Sequence, residues 1–299
     1  MKRYKRFVRW LLTAGLAAML AQSLIFMNNY RAVTVMSSRG NSLYSTNMIL
    51  VDMTDHQMIA SQGSNEIIYP ASLTKIMTAI VSIEQLSEID GIYHEMTVPE
   101  NIFQKLNDEN ASMAGFAPGE KVEAIDLLYG MILPSGADAA VGMAVNLYGS
   151  EEVFVYKMNE KAESLGMRQT HFVNATGLHD EKHYSTAKDL SILLEYAMDN
   201  EIFRKIYTTG AYKTTKTKEH PDGIVMESTL FGKLSVETME HLTILGGKTG
   251  FTKKAGLCLA TVANIDNKEY ILITAGAKSR SAASAFHILD AVKIYASLV

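Results

Sequence analysis

"YPASLTKIMTA", residues 69–79, sets a serine and a lysine three positions apart just after a proline, inside an otherwise apolar stretch. Leu73, Ile76, Met77 and Ile80 recur at helical spacing and mark the buried stripe of a helix beginning near Ala71. Residues i and i+3 share one face of a helix, so Ser72 and Lys75 can meet there. Ser72 falls in the first turn, where free backbone N–H groups and the positive end of the helix dipole point outward. A serine hydroxyl is a poor nucleophile until a neighbouring base takes its proton. A lysine confined in low dielectric has its ammonium disfavoured, and moving its pKa from about 10.4 to about 7 needs roughly 4–5 kcal/mol of differential stabilisation. Burial is what would turn Lys75 into a base. The alternative is a capping serine beside a lysine that snorkels to water, and Ser-x-x-Lys alone does not decide between them.

Two further segments narrow the choice. "LPSGADAA" (133–140) places Ser135 in a Pro/Gly-punctuated turn, free to point into a cleft. "GGKTGFT" (246–252) sets Lys248 and Thr249 among glycines near the end of a strand, where the backbone can be approached closely. A fixed cation and a hydroxyl on a strand edge suit a carboxylate-ended peptide lying alongside, bonded main chain to main chain.

Around these segments the chain reads as strands at both ends with helices between. "NMILVDMTDHQMIASQGS" gives two short strands about a turn near Thr54–His56. "VEAIDLLYGMIL" is a short helix ending before Pro134. Phe154, Met158, Ala162 and Leu165 mark another, stopped by Gly166, and Thr186 caps a third through Leu190, Leu193, Leu194 and Ala197. "KIYTTGAYKTTKTKEH" reads as a solvated strand and turn. "HLTILGGKTG", "GLCLATVANI" and "EYILITAGA" are three strands, the last two joined across Asp266-Asn267, and a closing helix covers about 281–297. This is an α/β pattern, with a helical insertion at about 85–200 and a cleft where sheet and helices meet.

The chain has 299 residues, 47% apolar and 20% charged, enough for a sizeable core. Lys2, Arg3, Lys5, Arg6 and Arg9 stand at its start without an acid; removing those five leaves 23 basic against 32 acidic residues. So acidic a body argues against nucleic acid as a partner. "WLLTAGLAAMLAQSLIFM" (10–27) follows without a charge, so residues 1–30 read as a signal anchor or signal peptide and 31–44 as a tether. The anchor is favoured, because Leu24 to Met27 continue past the possible cleavage site at Ala21-Gln22-Ser23. Basic residues ahead of the apolar run keep that flank in the cytoplasm and send 45–299 outside. The lone Cys258, in "AGLCLA", excludes an internal disulfide and reads as a small buried hydrophobe.

The four segments "YPASLTKIMTA", "PGEKVEAIDLLYGMILPSGADAA", "FVNATGLHDEKHYSTAKDL" and "GGKTGFTKKAGLCLA" resemble the serine D-alanyl-D-alanine carboxypeptidases, low-molecular-mass penicillin-binding proteins of the β-lactamase-like superfamily. The resemblance runs from about 45 to 299. It implies a β-lactamase/transpeptidase-like fold, an antiparallel sheet flanked by helices with a mostly helical subdomain, and a domain that works without metal or cofactor. Ser72 would be the acyl-forming nucleophile, Lys75 its general base, and Ser135 a proton relay to the leaving D-alanine. Lys248, Thr249 and Gly250 would bind the substrate, the first two holding its terminal carboxylate. The backbone N–H groups of Ser72 and Phe251 would form the oxyanion hole. Expected partners are peptidoglycan stem peptides, β-lactams as covalent inhibitors, and the membrane through the N-terminal segment. The expected location is the outer face of the bacterial cytoplasmic membrane or the cell wall.

One position departs from the family pattern. The middle motif is usually Ser-x-Asn, and its third residue here is Ala137, whose methyl cannot hydrogen-bond a substrate. Asp138 beside it reads as a helix cap. Ala137 therefore keeps a slow, penicillin-acylated binding or sensing module in play. A β-lactamase would need a carboxylate for deacylation, with Glu227 in "ESTLF" the one loose candidate, and Phe231 stands where that reading expects asparagine. A zinc peptidase would draw on His179 and His183, four apart but separated by loop-like residues and outside any His-Glu-x-x-His pattern.

Overall fold

The structure, a computed structural model, describes residues 42–89, 91–234, 241–279 and 281–299. The segment read as a signal anchor or signal peptide and most of that read as a tether lie outside the described residues, and among the described residues no helix is long and apolar enough to cross a membrane. The elements in chain order are β1 (Asn47–Asp52), β2 (Gln57–Gln62), α1 (Thr74–Glu88), β3 (Glu95–Thr97), α2 (Phe103–Asp108), β4 (Lys121–Glu123), α3 (Ala124–Ile132), α4 (Ala137–Tyr148) and α5 (Glu151–Ser164). There follow α6 (Ala187–Met198), α7 (Glu201–Tyr207), β5 (Ala211–Lys213), β6 (Val225–Glu227), β7 (Leu242–Thr252), β8 (Gly256–Ile265), β9 (Lys268–Ala277) and α8 (Phe286–Ala296).

One five-stranded antiparallel sheet, in the order β2-β1-β9-β8-β7, organises the molecule. The turn at Asp266-Asn267 has both residues at positive φ, 49° and 64°, a geometry that suits asparagine and aspartate and matches the twist of the hairpin it closes. Strand alternation divides β8 between two layers. Cys258, Ala260 and Val262 join the core that faces the helices, while α8 packs on the other face, where the Tyr295 and Thr261 hydroxyls meet at 2.9 Å. Both faces are covered, which is why these strands read as unbroken apolar runs. The architecture is the expected α/β class, an antiparallel sheet flanked by helices.

Helix α1 runs through the middle of the helical layer. Eleven of its residues are buried, on every side rather than along one stripe. Its polar members are satisfied internally: Thr78 Oγ1 donates to Ala175 O at 2.7 Å and Ser82 Oγ to Thr78 O at 2.7 Å. A lysine on such a helix has no route for snorkelling. The caps expected from sequence are in place, with Thr186 Oγ1 accepting from Asp189 N at 3.0 Å and Gly166 at φ 75° after α5.

Three local differences stand out. Lys205–Tyr207, read as the start of a strand, close helix α7. Helix α4 follows directly on Ser135-Gly136, a stretch read only as a turn. The Thr/Lys-rich hairpin β5–β6 is fastened rather than freely solvated: buried Asp126 accepts from Tyr212 Oη and Thr215 Oγ1 at 2.7 and 2.6 Å, and buried Glu120 is bonded to Thr217 and His220.

Candidate active site

Ser72 sits in a single 3₁₀ turn, Ala71–Leu73, that feeds α1. Ala71 has φ 48°, a left-handed conformation uncommon outside glycine. Opposite it runs the turn 174–178, so close that a Cβ on Gly177 would fall 1.8 Å from Ala71 O. Only glycine fits there. Lys75 is 2% exposed, and its Nζ donates to Ser72 Oγ at 3.2 Å and to Thr176 O at 2.7 Å. Burial drives its pKa down from 10.5 to about 7, with Asp138 pulling weakly the other way. The amine is poised to lose its proton near neutrality.

The carbonyl that holds Lys75 is itself held. Asn174 Oδ1 accepts from the backbone N–H groups of Thr176 and Gly177 at 3.1 and 2.7 Å, and its Nδ2 donates to Leu178 O at 3.0 Å. Val173 N–H donates to His183 Nδ1 at 3.2 Å, so the ring hydrogen is on Nε2, which lies 2.8 Å from Thr74 Oγ1. Both nitrogens of His183 are thereby occupied, while His179 sits edge-on to the Tyr69 ring at 4.6 Å. Among the described residues no group of three or more His, Cys, Asp or Glu could hold a metal ion.

Ser135 has φ 68°, and its buried Oγ has no hydrogen-bond partner among the described residues. A left-handed serine carrying an orphan hydroxyl is a costly arrangement of the kind that gathers at functional sites. Ala137 opens α4, 1% exposed, and donates its N–H to Ser112 O at 2.7 Å. Asp138 is not the cap expected of it: its carboxylate accepts from the N–H groups of Ala114, Gly115 and Phe116 at 2.7, 3.1 and 3.2 Å. A carboxylate in the first turn of α4 thus fixes the loop that crosses the Ser-Gly-Ala turn, an outcome set by partners distant in sequence.

Strand β7 is the edge of the sheet, and its glycines let helices and turns approach. A Cβ on Gly246 would meet Tyr207 O at 2.3 Å, and one on Gly250 would come within 3.0 Å of Ser72 N. Lys248 lies between them on the same face, fully buried, its Nζ donating to Thr249 O at 2.8 Å. Burial first, then the nearby charges of Lys75 and Lys233, push its pKa well below the usual lysine value. No carboxylate stands among these influences. Thr249 faces the other way, its hydroxyl 2.7 Å from that of Thr229, and Phe251 is half-buried at the strand's end.

The structure thus brings Ser72, Lys75 and the Lys248–Phe251 edge together, with Ser135 at the start of a helix packed on α1. Glu227 is exposed on β6. Cys258 is buried, its thiol pushed up to about 12. Sequence reading gave no role to Asn174, Thr176 and Thr229, and weighed His183 only as a zinc ligand. The Asn-x-x-Gly spacing of 174–177 was the available signal for the turn; the others owe their places to long-range packing.

A helix-borne Ser–Lys pair set against the edge of an antiparallel sheet is the layout of the β-lactamase/transpeptidase-like fold. The chain belongs to the D-alanyl-D-alanine carboxypeptidase family, whose profile matches residues 33–279. It is 33% identical to D-alanyl-D-alanine carboxypeptidase DacF of Bacillus subtilis over 77% of this chain and 57% of that protein. It is 34% identical to the D-alanyl-D-alanine carboxypeptidase of Streptomyces sp. strain K15, over 67% and 69%. The chain therefore spans little more than half the length of the Bacillus relative. The crystal structure of the Streptomyces K15 DD-transpeptidase superposes with a TM-score of 0.74 at 28% identity, covering 86% of this chain and 97% of that one. Penicillin binding protein 6B of Escherichia coli gives 0.74 at 28%, over 87% and 79%.

Proposed function

We propose that this protein is a serine D,D-carboxypeptidase that removes the terminal D-alanine from peptidoglycan stem peptides. Lys75 takes the proton of Ser72 as its Oγ attacks the carbonyl between the last two D-alanines. The N–H groups of Ser72 and Phe251 receive the developing oxyanion, an effect typically worth about 3–4 kcal/mol. Ser135, whose buried hydroxyl has no hydrogen-bond partner among the described residues, passes a proton to the departing amine. The terminal carboxylate supplies the anion that the buried Lys248 ammonium lacks, with Thr249 beside it. Water hydrolyses the acyl-enzyme, and penicillin acylates the same serine. The observation that carries this reading is a buried amine with a pKa of about 7, 3.2 Å from the hydroxyl it would deprotonate.

In this reading residues 1–30 anchor the chain or direct its export, 31–44 tether it, and 45–299 form the catalytic domain on the outer face of the cytoplasmic membrane. The test is D-alanine release from a pentapeptide stem, together with labelling by fluorescent penicillin. Wild type should do both and Ser72→Ala neither, with an unchanged thermal midpoint; labelling of Ser72→Ala would refute the nucleophile. Ala137 favours one second reading, a slow penicillin-acylated sensing module, because its buried methyl stands where an amide would hold the substrate. Labelling of wild type without D-alanine release would select it.

A further inference from the structure

His183 is a buried titratable group beside the site that the proposed chemistry does not use. It is 2% exposed and lies against Phe172, ring centroids 5.5 Å apart. Its Nδ1 takes the Val173 N–H at the entrance of the turn that presents Thr176 O, and its Nε2 reaches Thr74, the residue before Lys75. The ring therefore joins the first turn of the nucleophile helix to the turn whose carbonyl receives the lysine Nζ. We infer that His183 is a positioning residue: a neutral imidazole adapter, accepting at Nδ1 and donating at Nε2, that holds the Thr176 carbonyl on Lys75 and so keeps that amine buried and aimed at Ser72. This rests on the Ser72–Lys75 reading above.

Only the neutral Nε2–H tautomer makes both contacts, since an imidazolium would turn a second N–H against that of Val173. Burial keeps the ring neutral, with a pKa lowered to about 4. The charged and titratable groups bearing on His183 are Asp180, His171, His179 and Lys75; Asp138 bears on Lys75, and Lys248 stands near it. Without the adapter the 173–178 turn is free to drift and water can reach Lys75. Because burial is the leading cause of its lowered pKa, that pKa then rises.

The experiment measures the pH dependence of acylation by fluorescent penicillin in the full-length protein. His183→Leu, which can neither accept nor donate, should acylate at least tenfold more slowly at pH 7, its acid limb moved up by half a unit or more. His183→Gln, able to accept and donate across a similar span, should stay within about threefold of wild type with its limb in place. If His183→Leu does not fold, Thr74→Val removes the acceptor hydroxyl at nearly constant shape and should move the limb in the same direction. A lowered thermal midpoint in His183→Leu with the limb unmoved would reduce the residue to a structural role and overturn the inference. So would a His183→Gln protein as impaired as the leucine variant. Wild type that labels but releases no D-alanine would defeat the carboxypeptidase reading alone, because acylation still reports on His183.

Discussion

At the scale of the residue, Lys75 is a buried amine whose burial works against stability. Its pKa is about 7 in the folded protein against an ordinary 10.5. The unfolded chain thus binds more protons between those values, and stability rises with pH across that window by about 5 kcal/mol in full. Two outcomes follow. Penicillin acylation should climb with pH to a plateau, with its midpoint near 7; a flat profile from pH 5 to 9 would show that no group of this kind gates the step. Lys75→Met, which leaves no charge to bury, should abolish labelling yet raise stability at pH 7 by roughly 2–4 kcal/mol, seen as a higher thermal midpoint. Both residues of the pair could be read from "YPASLTKIMTA", because Ser72 and Lys75 fall one helical turn apart and their side chains meet. The carbonyl of Thr176 could not, since every residue carries one and only the fold decides where it points.

At the scale of the element, β7 and the Ala71–Leu73 turn are interlocked through Gly250. Replacing it with alanine places a methyl 3.0 Å from Ser72 N and 3.2 Å from Ala71 Cβ, so strand and turn must part by a few tenths of an ångström. Gly250→Ala should slow acylation roughly ten- to hundredfold, because small displacements of a nucleophile are expensive, while costing only about 1–2 kcal/mol of stability. Stopped-flow acylation and urea unfolding on the same preparation separate the two effects; an unchanged acylation rate would mean that the strand edge does not set the position of Ser72. The glycines of "GGKTGFT" announced a close approach, and the three C-terminal strands were legible from their apolar runs. Helix α4 was not, since "SGADAAVG" is rich in small residues with no apolar stripe and reads as the tail of a turn. Asp138 was misjudged for a related reason: its three N–H partners lie more than twenty residues upstream, beyond any local pattern.

At the scale of the whole molecule, buried bases of two kinds set the pH response. His183 and His287 are both lowered by burial from 6.5 to about 4. The unfolded chain takes up their protons first, so the stability they confer is present above about 6.5 and drains away toward pH 4, by about 3 kcal/mol for each ring. His287 has no hydrogen-bond partner for either ring nitrogen among the described residues. His287→Leu should therefore narrow the drop in urea midpoint between pH 7 and pH 4.5, and an unaltered drop would show that the ring already titrates normally. Above neutrality Lys75 and Lys248 act in the opposite range, so stability should go on rising toward pH 9. The α/β character was legible from strands at both ends of the chain, whereas their pairing was not, because alternation fixes which face a residue takes and leaves its neighbouring strand open.

That pairing governs when the protein can come into being during synthesis. Strand β1, made early, pairs at once with β2 but finds its second partner only in β9, and the Ser72 turn waits for β7, with the whole helical layer translated in between. Contacts of such long sequence separation form slowly and late. A ribosome stalled between α1 and β9 therefore holds a chain that carries Ser72 and Lys75 without the completed sheet, and the last hairpin to emerge is the step that closes the fold around them.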